Sequence, residues 1–352
     1  MLVVDRKTGH MENRHFKDSQ NHKLLMRPNS TSPADTEAKI QELIAQLGDK
    51  YAATGQDLVG YLEGLYHANF LSYWNYVHLD TLLTLQTPRT DFPDENIFII
   101  YHQISELYFK LVLLELGQIA DKSDLGAEEF EMRVRRANNY VRHLIDSFSV
   151  MYHGMEQDQF LKFRMALLPA SGFQSAQFRM IEIAATDFDL LLLPSEKQAD
   201  AETIADKFKH LYWLQGATEL ATGRKTYTLL QFEKKYANTL IEMGEKYATR
   251  NLRKRWQELA GKGKTTESLK QALKEFDTHM NVSWRLMHLR SAVQYLHKEP
   301  EVIAATGGTN WQQYLPPKFQ KRSFYPELWN ADEMQEWGKD WIVEMLKQTN
   351  KA

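Results

Sequence analysis

The sequence predicts an all-α protein: a large, multi-helix, bundle-like domain enclosing a pocket. Apolar residues recur at steps of three and four along most of the 352 residues, which is the helical period. Long alternating Val/Ile/Thr runs, and hairpin dipeptides between them, do not occur, so strand signals are nearly absent. No internal repeat divides the chain, which leaves many helices joined by short connections.

Residues 1 to about 35 are polar and close on Pro28, Ser32 and Pro33; they read as a loose tail ahead of one domain over 36–352. Thr36 to Lys50 carries Ile40, Leu43, Ile44 and Leu47 at helical spacing. Tyr51 to Gln86 is dense in rings, among them Tyr61, Tyr66, Phe70, Tyr73, Trp74 and Tyr76. Leu79 to Leu83 looks like a helix start, with Asp80 as its cap. Pro88 and Pro93 bracket a turn before the central run, Phe98 to Gln118. There Ile97, Ile100, Ile104, Leu107, Leu111 and Leu114 make one stripe. Phe98, Tyr101, Tyr108, Val112 and Leu116 cover other faces, and a helix apolar on most sides predicts burial all round.

Glu128 to Tyr152 is expected as one long amphipathic helix with Phe130, Val134, Val141, Leu144 and Phe148 inward. A segment capped by Asp158 and stopped by Pro169 follows, with Phe160, Phe163 and Leu167 as its stripe. Ser171 to Ser175 turns into a helix bearing Phe178, Ile181 and Ile183. About 195–265 is a more polar helical excursion, with a helix over Lys225 to Arg250. Glu267 to His297 is a long helix, and Ala331 to Lys347 closes the chain as another.

Composition excludes several chemistries. There are no cysteines, hence no disulfide, thiolate ligand or Cys nucleophile. With 12 histidines, imidazole is the nitrogen ligand on offer to a metal. Net charge is −3 with the signs interspersed, which points to neither nucleic acid nor a membrane surface. The opening residues lack an apolar signal core, and the expectation is a soluble, cytoplasmic protein. No G-x-S-x-G, H-E-x-x-H, EF-hand or P-loop pattern occurs.

What remains is sparse. His102 and Glu106 lie one turn apart, and Phe98 shares their stripe. Such a pair either closes a polar network in a core or lines a cavity. Arg164 falls four residues after Phe160; its stem packs with its head reaching water, or its fork grips a carboxylate. His288 follows Trp284 by one turn on an apolar flank, as a core histidine or a ligand. Thr306-Gly307-Gly308 follows it, with no strand ahead to make a dinucleotide loop. A helical protein with an isolated His, apolar walls and many rings is one way to hold haem, with a second imidazole over the open side. Spacing alone does not say that the two histidines face one cavity.

Five blocks, in order from Tyr73 to Trp329, resemble the tryptophan 2,3-dioxygenase family: SYWNYVHLDTLL, FIIYHQISELYFK, FRMALLPASGFQSAQFRMIE, WRLMHLRSAVQYL, and TGG followed by YL and FYPELW. The resemblance implies an all-α homotetramer holding haem b, one per subunit. It also implies that O2 is inserted across the indole C2–C3 bond of L-tryptophan to give N-formyl-L-kynurenine. Carried over, His288 becomes the axial iron ligand and His102 the distal residue near the indole N–H. Phe98 packs on the indole, Arg164 pairs with the substrate carboxylate, and Thr306 contacts the ammonium and carboxylate end. Tyr73 and Tyr76 would reach a neighbouring subunit's pocket. The sequence departs from the family's Gly-Thr-Gly-Gly-Ser-Ser-Gly loop at Ala305, Thr309 and Asn310. Phe160 stands where bacterial relatives often have a Tyr near the carboxylate. Both changes touch the amino-acid end of the pocket. They leave open a mono-oxygenase of a substituted tryptophan or another aromatic amino acid, or a non-catalytic haem or indole sensor.

Overall fold

The structure, a computed structural model, describes residues 32–68, 71–167, 174–193, 203–218, 224–298, 301–302 and 322–337. The chain divides into two compact units, 1–80 and 81–352.

The first unit holds α1 (Pro33–Ala53), α2 (Leu58–His67) and α3 (Tyr73–Tyr76). Helix α1 starts three residues earlier than the periodicity predicts. The Ser32 hydroxyl accepts from the Asp35 N–H, and Pro33 supplies the preset φ of a first helical position. Helices α1 and α2 meet at Tyr51 and Tyr61, whose rings stack at 4.7 Å. No residue of α1, α2 or α3 is buried. A one-turn α4 (Leu79–Leu82) straddles the boundary; Asp80 sits inside its first turn and does not cap it.

The second unit is built on α5 (Asp94–Asp121). The Pro88–Pro93 turn closes on its first turn, where the Glu95 carboxylate accepts from the backbone N–H groups of Arg89 and Thr90, each at 2.8 Å. One face of α5 buries Tyr101, Phe109, Val112, Leu116 and Ile119. It packs on α6 (Ala127–Ser147) and on α9 (Ala176–Ala185), with α7 (Ser149–His153) and α8 (Gln157–Phe163) between those two in sequence. The expectation of burial on all sides fails: Ile100, Ile104, Leu107, Leu111 and Leu114 are 38–54% exposed. By length and hydropathy α5 could cross a membrane. Its inner face, however, belongs to a protein core, and it carries a buried Glu115 paired with Arg133 at 3.3 Å and Arg136 at 2.8 Å.

The helix expected over Glu128 to Tyr152 is two: α6 ends at Ser147, and α7 restarts after Phe148. Gly154 follows, where a Cβ would lie 2.4 Å from the Val150 carbonyl oxygen, so the chain turns there only because the residue is Gly. In α8 Asp158 lies in the first turn and Glu156 holds the cap position, against expectation. A 3-10 turn, Arg164–Leu167, continues α8; Pro169 and the Ser171–Phe173 turn lie outside the described residues. Ser175 caps α9 by accepting from the Phe178 N–H at 3.3 Å.

The more polar stretch is charged only on its outer faces. It comprises α10 (Ile204–Phe208), α11 (Tyr227–Tyr247) and α12 (Leu252–Gly261). Phe208, Trp213, Phe232, Leu240 and Trp256 join the same core as α5 and α6. The long helix expected from Glu267 is α13 (Glu267–Thr278), a π-turn (His279–Ser283) and α14 (Trp284–Leu296) in succession. A two-residue antiparallel ladder, His297–Lys298 with Glu301–Val302, follows. Of the closing helix, α15 (Ala331–Gln335) is described, with a capping box between Asn330 and Glu333.

Candidate active site

Helices α5, α8 and α14 bring the sequence-predicted rings together. His102 Nδ1 lies 2.7 Å from the Phe98 carbonyl oxygen, one turn back on α5. A carbonyl can only accept, so Nδ1 carries the proton and Nε2 keeps its lone pair. Burial lowers the His102 pKa, against the raising effects of that hydrogen bond and of Glu106. The ring is therefore neutral at pH 7. The Phe98 ring lies 4.1 Å from the imidazole and also meets Phe163 at 5.9 Å and Phe160 at 6.4 Å.

His288 repeats the arrangement on α14. Its Nδ1 donates to the Trp284 carbonyl at 3.1 Å, leaving Nε2 as an unprotonated donor atom. Burial pushes its pKa down to about 4, and the nearby His102 adds to the effect. That mutual influence puts the two imidazoles within electrostatic reach of each other. Phe148 joins their surroundings: its ring is 5.5 Å from Tyr101, 5.1 Å from Trp284 and 4.8 Å from His288. The residue that breaks α6 from α7 is thus the one wedged between the two histidine helices.

Arg164 begins the 3-10 turn after Phe163 and is buried, and burial lowers its guanidinium pKa. Phe160 is half-buried against Tyr295, ring to ring at 4.8 Å. The Tyr295 hydroxyl donates to the carbonyls of Met151 and of Met155, the latter at 3.0 Å. That hydroxyl is spent on backbone, so it does not replace the one Phe160 lacks. Glu106 accepts from Gln177 Nε2 at 2.8 Å, the bland outcome of the two foreseen for the His102–Glu106 pair.

Thr306, Thr309 and Asn310 lie outside the described residues. Tyr73 and Tyr76 belong to the first unit, where they are exposed. Sequence reasoning missed Tyr295 and the bridging place of Phe148. Tyr295 was within reach of it, since it follows His288 by seven residues, two helical turns on the same face.

The donor set suits a porphyrin. Haem brings four nitrogens of its own and needs one protein imidazole, neutral and with a free Nε2. His288 is held in that tautomer by the backbone of its own helix.

Comparison with known proteins agrees with this geometry. The model for the family "Tryptophan 2,3-dioxygenase" matches residues 65–211. A tryptophan 2,3-dioxygenase of Bacillus thuringiensis subsp. konkukian (strain 97-27) is 30% identical over 277 residues, 75% of this chain and 94% of that protein. The protein of the same name from Herpetosiphon aurantiacus is 30% identical over 276 residues, 74% of this chain and 96% of its own. That of Ruegeria sp. (strain TM1040) is 42% identical over a shorter stretch of 117 residues, 33% of this chain and 41% of its own. Such likeness over nearly the full length of relatives has a plain consequence: this chain belongs to the tryptophan 2,3-dioxygenase family.

Proposed function

We propose that the protein is a haem-dependent tryptophan 2,3-dioxygenase, converting L-tryptophan and O2 to N-formyl-L-kynurenine. The observation that carries the reading is the pair of neutral imidazoles on α5 and α14, each with Nδ1 tied to the carbonyl four residues back. His288 Nε2 would hold the iron of one haem b per subunit, and the haem supplies the activation of O2. His102 Nε2 would accept a hydrogen bond from the indole N–H, and Phe98 beside it would supply a flat apolar wall. An indole N–H is a very weak acid, so His102 orients the ring and need not remove its proton. Arg164 would pair with the substrate carboxylate in an environment where a fork-to-fork bond is worth most, and Thr306 would meet the amino-acid end. Together these groups bind, orient and exclude water.

A homotetramer, soluble and cytoplasmic, completes the proposal, with Tyr73 and Tyr76 reaching a neighbour's pocket. Two apolar surfaces support an oligomer. The rings of Tyr73 and Tyr76 are 71% and 73% exposed, and the Ile100–Leu114 stripe lies open on the second unit. A contiguous aliphatic stripe of that length is what an interface covers.

The experiment is anaerobic reduction of the haem-loaded protein, then addition of L-tryptophan and air, with the product read by mass. Gain of two oxygens with ring opening is expected. Gain of one oxygen would indicate a mono-oxygenase, and binding without turnover a sensor.

A further inference from the structure

Behind the His288 helix lies a polar hub that the chemistry above does not use. Asp277, the penultimate residue of α13, is fully buried. Five donors converge on its carboxylate. Asn281 Nδ2 and the Phe324 N–H reach Oδ1 at 2.7 and 2.9 Å. The Ser323 hydroxyl, Trp329 Nε1 and the Tyr325 N–H reach Oδ2 at 2.6, 2.9 and 3.4 Å. All five give hydrogens and none can take one, so the side chain serves as a carboxylate, an acceptor with about four lone-pair positions. Burial pushes its pKa up, and the bonds from Ser323, Phe324, Asn281 and Trp329 pull it back.

The position of the hub matters. A π-turn admits one extra residue into a helix, which rotates everything after it by about 100° and weakens the local bonding. His288 stands five residues beyond the turn. Asp277 before it, Asn281 within it and Arg285 after it form a ladder at four-residue steps. Asn281 Nδ2 donates to Asp277, and Arg285 Nη2 donates to Asn281 Oδ1 at 3.4 Å. The segment 323–337 straps the same element from outside. Val282, Leu286 and Leu289 pack with Trp329, Met334 and Trp337. Lys274 lies 4.5 Å over the Trp329 ring and pairs with Glu333. At 100° per residue this strapped face is roughly opposite the face that carries Trp284 and His288.

We propose that Asp277 is a positioning residue for the iron-ligating imidazole: by gathering the π-turn and the closing strap onto one carboxylate, it fixes the rotation at which α14 presents His288. The proposal rests on the reading of His288 as the haem ligand. It predicts that outer groups which never touch the porphyrin set the iron–imidazole bond, as second-layer partners of metal ligands do.

Two variants test it. Asp277→Asn keeps the shape but turns a donor toward donors. Trp329→Phe removes one N–H while keeping a ring on the strap, and it decides the matter should Asp277→Asn fail to accumulate as folded protein. Each is read by haem transfer to an excess of a haem-acceptor protein, by the iron–imidazole stretching band of the ferrous protein, and by amide exchange of 323–337. The expected result is haem loss faster by about tenfold in Asp277→Asn, less in Trp329→Phe, with a shifted or broadened stretching band in both. Faster exchange in the strap with an unchanged band and unchanged haem loss would overturn the proposal, for the hub would then only hold the strap. His288→Ala separates this failure from failure of the ligand reading. If that variant keeps the parent's band, His288 is not the ligand and both readings fall.

Discussion

Acid should destabilise the haem-free protein through His288, and the size of the effect follows from its burial. The ring is held neutral, with a pKa of about 4 against 6.5 in an unfolded chain. Above pH 6.5 neither state binds the proton and the residue makes no pH-dependent contribution. Between 6.5 and 4 the unfolded chain takes up a proton that the folded protein refuses, so stability falls as pH falls. From pH 7 to pH 5 this amounts to about 2 kcal/mol, and below pH 4 no further loss comes from this group. The assay is urea unfolding of the apoprotein at pH 7 and at pH 5, for the parent and for His288→Ala. Deleting the ring costs packing at both pH values, and that cost cancels when each protein is compared with itself. His102 and His279, also shifted downward by burial, remain in both proteins and cancel likewise. The variant should therefore lose about 2 kcal/mol less than the parent over this interval. Equal losses would mean that His288 takes up a proton within the fold, which a ligand imbedded as described cannot do.

Arg164→Ala should raise KM for tryptophan by about 30- to 100-fold with haem retained, the loss of one charge-assisted pair; loss of haem at unchanged tryptophan affinity would contradict its role. His102→Ala should lower kcat/KM by about tenfold, the worth of one orienting hydrogen bond, and a fall beyond about a thousandfold would make it an acid–base catalyst instead. Leu107→Glu, in the middle of the exposed α5 stripe, should reduce the mass in light scattering below that of the parent assembly; an unchanged mass would place the interface elsewhere. Tyr295→Phe leaves the Met151 and Met155 carbonyls without their shared donor and should cost about 1–2 kcal/mol in denaturant unfolding, with little change in haem content.

Much of the fold is written in the period of the apolar residues. The spacing that locates α1, α5, α6, α11 and α13 is local, and a helix forms wherever such a stripe can be buried against something. Cap chemistry is local too: Ser32, Ser175 and Asn330 each satisfy N–H groups within three residues of themselves. The tautomer of each site histidine has the same origin, because the carbonyl that fixes it sits one turn back on the same helix. The family blocks named the site residues without showing where any of them lies.

Tertiary structure decided the rest, because burial and rotation depend on which stripes meet. Ile100 to Leu114 and Tyr101 to Leu116 read alike in the sequence, yet only the second set faces α6 and α9; an aliphatic stripe does not say whether its cover is the same chain. The break at Phe148 occurs where its ring must enter between Tyr101 and His288, a demand set by neighbours far away in sequence. The π-turn carries no composition signal at all. One extra residue in that turn selects which side of α14 faces His102, and Asp277 becomes legible only once five donors from two distant segments are seen to point at it.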